Sequence, residues 1–306
     1  MKAYLWVVVW FACTCKTNNL YADLLFATDG GQEVFSEQLQ LLGDGDPLDD
    51  VVTLRSLGLA DFRLFGQNVT QLWVSDNGNL NSTGSSSFFA EPLATLTPAR
   101  AMIAPMWDDF FIAKLPDSYS PNNRVIERNL PGVWYSVTWE HVRLYNELVV
   151  GGDFIDTQRS IQAVIFGDDF QYEGFQFLHN DIVFSYVSHT ATTSDFVDPA
   201  LEASLPTGFS QLNAAIGITG AAGEAVSMFG DSSANGIFEA DEASSALPWT
   251  DRQFILFREI SDQNGQFDHY AVSTESLSSV PEPLLPLPLV FLCLLTVHAR
   301  AISTKE

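Results

Sequence analysis

Met102-Ile103-Ala104-Pro105-Met106-Trp107-Asp108-Asp109-Phe110-Phe111 is the stretch whose reading decides the fold class. An apolar run that ends in a Trp and two carboxylates reads as a buried strand reaching the rim of a sheet and stopping in a polar loop. Short segments of the same kind lie on both sides. Val51-Val52-Thr53-Leu54, Phe62-Arg63-Leu64-Phe65 and Gln71-Leu72-Trp73-Val74-Ser75 precede it. Residues 133–139, 160–166, 181–186, 214–218 and 253–258 follow, and Val133-Trp134-Tyr135-Ser136-Val137-Thr138-Trp139 alternates as a half-buried strand should. Asp76-Asn77-Gly78-Asn79 supplies residues that tolerate positive φ, so a tight hairpin turn is expected between Ser75 and Leu80. Many short strands, each with one face to bury, predict an all-β fold packed sheet on sheet: a β-sandwich-like single domain.

Composition supports that reading and narrows the function. A chain of 306 residues that is 46% hydrophobic can fill a sizeable core, and its 20 Gly and 14 Pro suit strands joined by many turns. With 38 Asp and Glu against 14 Lys and Arg, the formal charge is −24, which repels nucleic acid and anionic membrane surfaces. Cations, basic partners and solubility are the remaining reasons for such a surplus. The cysteines are Cys13, Cys15 and Cys293, all in apolar terminal segments, so no disulfide framework can hold the middle of the chain.

Both ends read as export signals. Met1-Lys2 followed by the apolar run 3–12 has the charged start and short apolar core of a signal peptide, with cleavage by signal peptidase expected after Ala22. The run is shorter than the roughly 20 apolar residues that span a bilayer. At the other end, Val280-Pro281-Glu282-Pro283 precedes an apolar segment over 284–297 and then His298, Arg300 and Lys305. This order resembles a PEP-CTERM sorting signal, in which a Pro-Glu-Pro triplet, a hydrophobic segment and a basic tail direct processing by an exosortase. The resemblance implies a Gram-negative bacterium and export to its surface, outer envelope or extracellular matrix, with the C-terminal segment in the membrane before processing. An ordinary C-terminal anchor is the alternative. Residues 261–279, rich in Ser and Thr from Ser273 to Ser279, read as a linker or solvated stalk.

The middle of the chain resembles a nidogen-like, or NIDO, extracellular domain. Phe65-Gly66, Trp73-Val74-Ser75 and Asn77-Gly78 stand where that family has a Phe-Gly, an aromatic-rich strand and an Asn-Gly turn. Ile103-Ala104-Pro105-Met106-Trp107-Asp108-Asp109 is similar to its Ile-Ala-Pro-Phe-Trp-x-Asp segment. Thr138-Trp139, the strand 160–166 and Asp181-Ile182-Val183-Phe184-Ser185-Tyr186 follow in the family's order. The expected divisions are a signal peptide over 1–22, an N-terminal extension with an acidic turn over 23–50, a nidogen-like β domain over 51–260, the linker over 261–279 and the sorting signal over 280–306. The resemblance implies association with proteins or matrix and no substrate turnover.

Three patterns could carry chemistry. Asp231, Ser233, Asn235, Glu239 and Glu242, with the carbonyl of Ile237 and Gly236 at the sharp turn, match the ligand spacing of an EF-hand-like calcium loop. Pro248 limits an exit helix, and an acidic hairpin loop is the other reading. The acidic turn Gly43–Asp50 suits a hard cation or simple solvation. Trp107 with Asp108 and Asp109 reads either as a binding rim for a sugar or peptide, or as a core Trp flanked by solvated carboxylates.

No zinc spacing, nucleophile elbow, phosphate loop or dinucleotide fingerprint occurs in the sequence. The expectation is an exported, non-enzymatic protein that adheres to extracellular polysaccharide or a matrix protein, with calcium as its cofactor. The alternative is a secreted polysaccharide-binding or glycoside-hydrolysing protein that uses a carboxylate pair, such as Glu140 with Asp108 or Asp109.

Overall fold

The structure is a computed structural model that describes residues 24–40, 47–48, 50–85, 93, 96, 99–108, 110–113, 124–144, 159–188, 214–227, 237–238 and 252–277. In chain order its elements are β1 (Gln32–Glu33), α1 (Ser36–Gln40), β2 (Pro47–Leu48), β3 (Val52–Ser56), β4 (Arg63–Leu64), β5 (Gln67–Asn68), β6 (Gln71–Ser75), β7 (Leu80–Asn81), β8 (Met102–Trp107) and β9 (Phe110–Ala113). There follow β10 (Arg124–Leu130), β11 (Trp134–Leu144), β12 (Arg159–Phe166), β13 (Phe170–Tyr172), β14 (Phe175–Phe177), β15 (Ile182–Ser188), β16 (Ala214–Thr219), β17 (Ala225–Ser227), β18 (Ile237–Phe238), β19 (Gln253–Ser261) and β20 (Phe267–Ser276). The fold is nearly all β, as expected.

Two antiparallel sheets carry the fold. A nine-stranded sheet runs β1-β10-β11-β12-β15-β19-β20, with β9 and β2 attached at the end of β11. A seven-stranded sheet runs β17-β16-β8-β7-β6-β3, with β18 beside β16. Alternation sends Tyr135, Val137, Trp139, Ile161, Ala163, Ile165, Phe184 and Tyr186 from the first sheet into one core with Leu72, Val74, Leu80, Ile103, Ile216 and Ile218 from the second. Two buried aromatic side chains cross this core to backbone carbonyls. The Trp139 indole N–H donates to Ser75 O at 2.8 Å, and the Tyr186 hydroxyl to Pro105 O at 2.6 Å. Burial pushes the Tyr186 phenol well above its ordinary pKa, so it stays a donor.

The Met102–Phe111 stretch is where the chain changes sheets. β8 pairs with β7 and β16 in one sheet, while β9 pairs with β11 in the other. Pro105 sits where the β8–β16 register shifts, a bulge in which the ladder does not require its missing N–H. The turn after β6 braces the corner. Asn77 O accepts the Asp108 N–H at 3.3 Å, and the Asn77 side-chain oxygen accepts the Phe110 N–H at 3.0 Å. Asp50 Oδ1 holds Asn77 Nδ2 at 3.2 Å, and Asp76 Oδ1 accepts the Val51 N–H at 3.2 Å. Ser75, Asp76, Asn77, Asn79 and Asn81 are all buried, so this hairpin turn is a polar plug inside the fold.

Two sequence expectations need correction. Residues 267–276 are no stalk: they form β20, paired with β19 from Gln253↔Ser276 to Ser261↔Phe267. Only Tyr270 of that strand is buried, because an edge strand with one solvated face has few apolar positions to reveal it. The N-terminal extension likewise belongs to the fold, since Leu25, Phe26, Val34 and Phe35 are all core residues.

Gly78 tests the corner directly. Its φ is +70°, and a Cβ there would lie 1.9 Å from Met106 O and 2.8 Å from a Phe110 ring carbon. Gly132 has a similar φ of +79° and open space around it. Gly78→Ala is expected to cost more than about 3 kcal/mol in urea unfolding, against about 1–2 kcal/mol for Gly132→Ala, which meets only the left-handed backbone penalty. Equal losses would mean that the turn does not press on the corner.

Candidate functional site

The outer face of the nine-stranded sheet is covered. Register places Thr138, Gln162 and Ser185 in one row across β11, β12 and β15, with Ser136 and Ser160 beside it, and all five are buried. The segment 24–30 crosses this polar row as a strap. Gln162 acts as its backbone partner: Oε1 accepts the Phe26 N–H at 3.0 Å and Nε2 donates to Phe26 O at 2.9 Å. A further Gln162 Nε2 bond goes to Thr138 Oγ1 at 2.8 Å, and the Leu25 N–H donates to Ser185 Oγ at 3.2 Å. Next to the strap, the β13–β14 hairpin folds over the apolar half of the same face, where Phe26 stacks on Trp134 at 4.7 Å and Phe166 on Phe177 at 4.5 Å.

Strap and hairpin leave a cavity of about 370 Å³ between them. Its floor comes from a bulge in β11. The β11–β12 register shifts between Trp139 and Val142, His141 adopts a φ of +53°, and its N–H donates to Ser160 Oγ at 3.1 Å. A bulge re-aims side chains, and here Glu140 and His141 both line the cavity. Glu140 is held from two directions, by Thr28 Oγ1 at 2.7 Å and by Arg124 Nε at 2.7 Å. The hairpin tip contributes Tyr172 and Glu173, and Glu173 is ion-paired with Arg252. Hydroxyl groups, ion-paired carboxylates and one aromatic ring converge here, an arrangement that orients a small polar ligand.

A second cavity of about 500 Å³ opens between the two sheets at their β3 and β10 edges. Three of its polar groups are committed to one another. Arg55 Nε lies 3.1 Å from Glu127, whose other oxygen accepts the Tyr135 hydroxyl at 2.8 Å. Burial and the adjacent Glu127 carboxylate push the Tyr135 phenol well above its ordinary range. This set bolts the sheets together at their open edge. Within the nine-stranded sheet, buried Asp181 at the start of β15 accepts Arg258 Nη2 of the neighbouring β19 at 2.7 Å, and burial holds its carboxyl above the usual range against that pairing.

The residues singled out from the sequence fall elsewhere. Trp107 is 1% exposed, packed with Met102 and Ala104 and carrying the Arg100 guanidinium 5.2 Å from its ring centroid. Its indole therefore offers no stacking surface to solvent, which corrects the binding-rim reading for this ring. Asp108 is half-buried in the sheet-switching corner, and Asp109 lies outside the described residues. Glu140 reaches the strap on the outer face of β11, whereas the Asp108 backbone N–H is bonded to Asn77 O in the turn after β6. Of the calcium loop only the backbone of Ile237 and Phe238 is described, paired with Ala215 and Ala214. Asp231, Ser233, Asn235, Glu239 and Glu242 lie outside the described residues, as do Val280, Pro281, Glu282 and Pro283. Among the described residues no group of three or more His, Cys, Asp or Glu is placed to hold a metal, and no helix is long and apolar enough to cross a membrane.

No protein-family model, curated protein or solved structure matches the chain.

The strap's dependence on Gln162 can be measured. Gln162→Met keeps the volume and removes both bonds to Phe26, leaving a buried N–H and C=O without that partner. Stability is expected to fall by about 1–3 kcal/mol, with the Phe26 amide exchanging hydrogen much faster than amides of β12. Unchanged exchange at Phe26 would show that apolar packing alone holds the strap.

Proposed function

We propose that the chain is an exported protein of the bacterial surface or extracellular matrix, that it works by adhesion rather than by turnover, and that an exosortase-type enzyme sorts it at Val280-Pro281-Glu282-Pro283. The observation that carries this reading is the order of parts along the chain. A signal-like start is followed by a cysteine-free acidic sandwich, and the Pro-Glu-Pro triplet follows shortly after Leu277 in the sequence. Leu277 still belongs to the core: it is buried in one apolar cluster with Leu25, and its N–H donates to Arg252 O at 3.0 Å. An all-β scaffold with a polar cavity on one face suits display of a binding surface.

The sorting proposal predicts a processing defect. In a Gram-negative host that makes an extracellular polysaccharide and carries an exosortase, the wild-type chain is expected in the released or surface fraction, shortened at its C-terminus. Pro281→Ala with Glu282→Ala is expected to stay full-length in the membrane fraction. Identical fractionation of the two on immunoblots would remove this reading and favour an ordinary anchor.

Calcium enters the proposal through the 231–242 spacing. If Asp231, Ser233, Asn235, Glu239, Glu242 and the Ile237 carbonyl hold the ion, millimolar calcium raises the melting temperature by mass action, and Asp231→Ala with Glu242→Ala abolishes the shift. A melt indifferent to calcium in the wild-type chain would mean that the loop is solvated and adhesion needs no cation.

A further inference from the structure

The cavity between strap and hairpin has a charge balance that specifies its ligand more closely than adhesion in general. Its lining includes Asp29, Glu140, Glu173 and Arg252. Two of these carboxylates are already neutralised, Glu140 by Arg124 and Glu173 by Arg252. Asp29, on the exposed end of the strap, has no ionic or hydrogen-bond partner among the described residues. The cavity therefore carries one uncompensated negative charge beside neutral, ordered polar groups. Around that charge stand Thr28 and Ser160, whose hydroxyls are held in place by Glu140 and the His141 backbone, and the ring of Tyr172, itself packed against Phe26 at 5.1 Å.

Each part excludes a class of ligand. An anionic sugar such as a uronate would meet Asp29 with like charge and find Arg252 already taken by Glu173. A lipid or aromatic compound would desolvate Glu140 and the Thr28 hydroxyl without giving them new bonds. A bare metal ion finds no triad of ligands among the described residues. A polyhydroxylated ring with a single ammonium satisfies all of them. Its hydroxyls take the remaining lone pairs of Glu140 and the hydroxyl of Thr28. Its apolar ring face lies against Tyr172, and the ammonium makes a charge-assisted bond to Asp29. The volume, about 370 Å³, is at the small end of ligand sites and fits one or two sugar rings.

We propose that the cavity between the N-terminal strap and the β13–β14 hairpin binds an amino sugar carrying a free ammonium, such as a de-N-acetylated glucosamine unit of an extracellular polysaccharide, with Asp29 as the ammonium's partner. This rests on the reading of the chain as a matrix-associated protein and names the chemistry of what it adheres to. The acidic character of the whole chain would draw such a cationic polymer toward it over longer distances.

The test is calorimetric titration of the purified exported chain with three trisaccharides: glucosamine, N-acetylglucosamine and glucuronate. The glucosamine trisaccharide is expected to bind at least tenfold more tightly than its N-acetylated counterpart, with no heat from glucuronate. Asp29→Asn is expected to erase that tenfold preference. Asp268→Asn removes the same charge from the exposed edge strand and is expected to leave binding unchanged. Thr28→Val, checked by its melt, is expected to weaken both amino and N-acetylated ligands.

Equal affinity for the two glucosamine forms overturns ammonium recognition. Wild-type affinity in Asp29→Asn, or an equal loss in Asp268→Asn, overturns the cavity as the site. Absence of binding by all three sugars overturns the proposal itself, and the fractionation experiment above still decides independently whether the chain is sorted to the surface.

Discussion

The close approach of the Asp76–Asn79 turn to the Met106–Phe110 corner is the contact on which the rest of the fold depends. It is a polar contact in a buried place, and every polar atom there must be answered from within the fold. Asn77 answers most of them, with its carbonyl on Asp108, its side-chain oxygen on Phe110 and its amide on Asp50. Only a glycine at 78 lets the turn come close enough, since a Cβ would overlap the Met106 carbonyl. Once the corner is fixed, β8 and β9 enter different sheets, and the distance between those sheets is set. Trp139 and Tyr186 then span that distance to carbonyls at the two irregular places, the end of β6 and the Pro105 bulge. The aromatic tethers thus use carbonyls where turn and bulge interrupt the ladder.

The nine-stranded sheet has a second packing problem on its other side. One half of its outer face is aromatic and aliphatic, the other half hydroxyl and amide. A single covering element could not suit both, and two are used: an aromatic hairpin over the apolar half and a hydrogen-bonded strap over the polar half. Gln162 lets an irregular segment lie on a sheet face without stranding its backbone groups, because its carboxamide supplies the donor and acceptor that a neighbouring strand would have supplied. The cavity forms where the two covers diverge, beside the β11 bulge. Its position is therefore a consequence of the mixed polarity of the sheet.

Much of the sandwich could be read from the sequence because its inner strands alternate or run continuously apolar: β6, β8, β11, β12, β15, β16 and β19 all lie where the pattern puts them. The elements that escaped are those whose apolar residues serve something other than the inter-sheet core. β20 buries one tyrosine along ten residues and reads as a serine-rich stalk. β10 carries Arg, Glu and Asn between its apolar residues because it lies near the edge of the sheet. The strap is too short to show a period, yet Leu25 and Phe26 are buried core residues. Trp107 was legible as a rim residue or a core residue, and the sheet-switching corner makes it core. The cavity was the least legible part. Thr28, Glu140, Ser160 and Glu173 are far apart in sequence, and only the positive φ at His141, which no residue pattern announces, brings Glu140 and His141 to one wall.

The strap's partners have a consequence for the order in which the chain can fold. Phe26 bonds to a residue 136 positions later and Leu25 to one 160 positions later. A segment made before every strand that it crosses is thus among the last to find its place. Contacts of such sequence separation carry the largest loop-closure entropy and slow the final assembly. While β12 and β15 are still being synthesised, Leu25 and Phe26 have nothing to cover, and the polar row of Thr138, Gln162 and Ser185 has not yet formed. The native state is completed when this earlier-made segment returns to lie across the newer strands, so the strap serves as the latch of the fold rather than its nucleus.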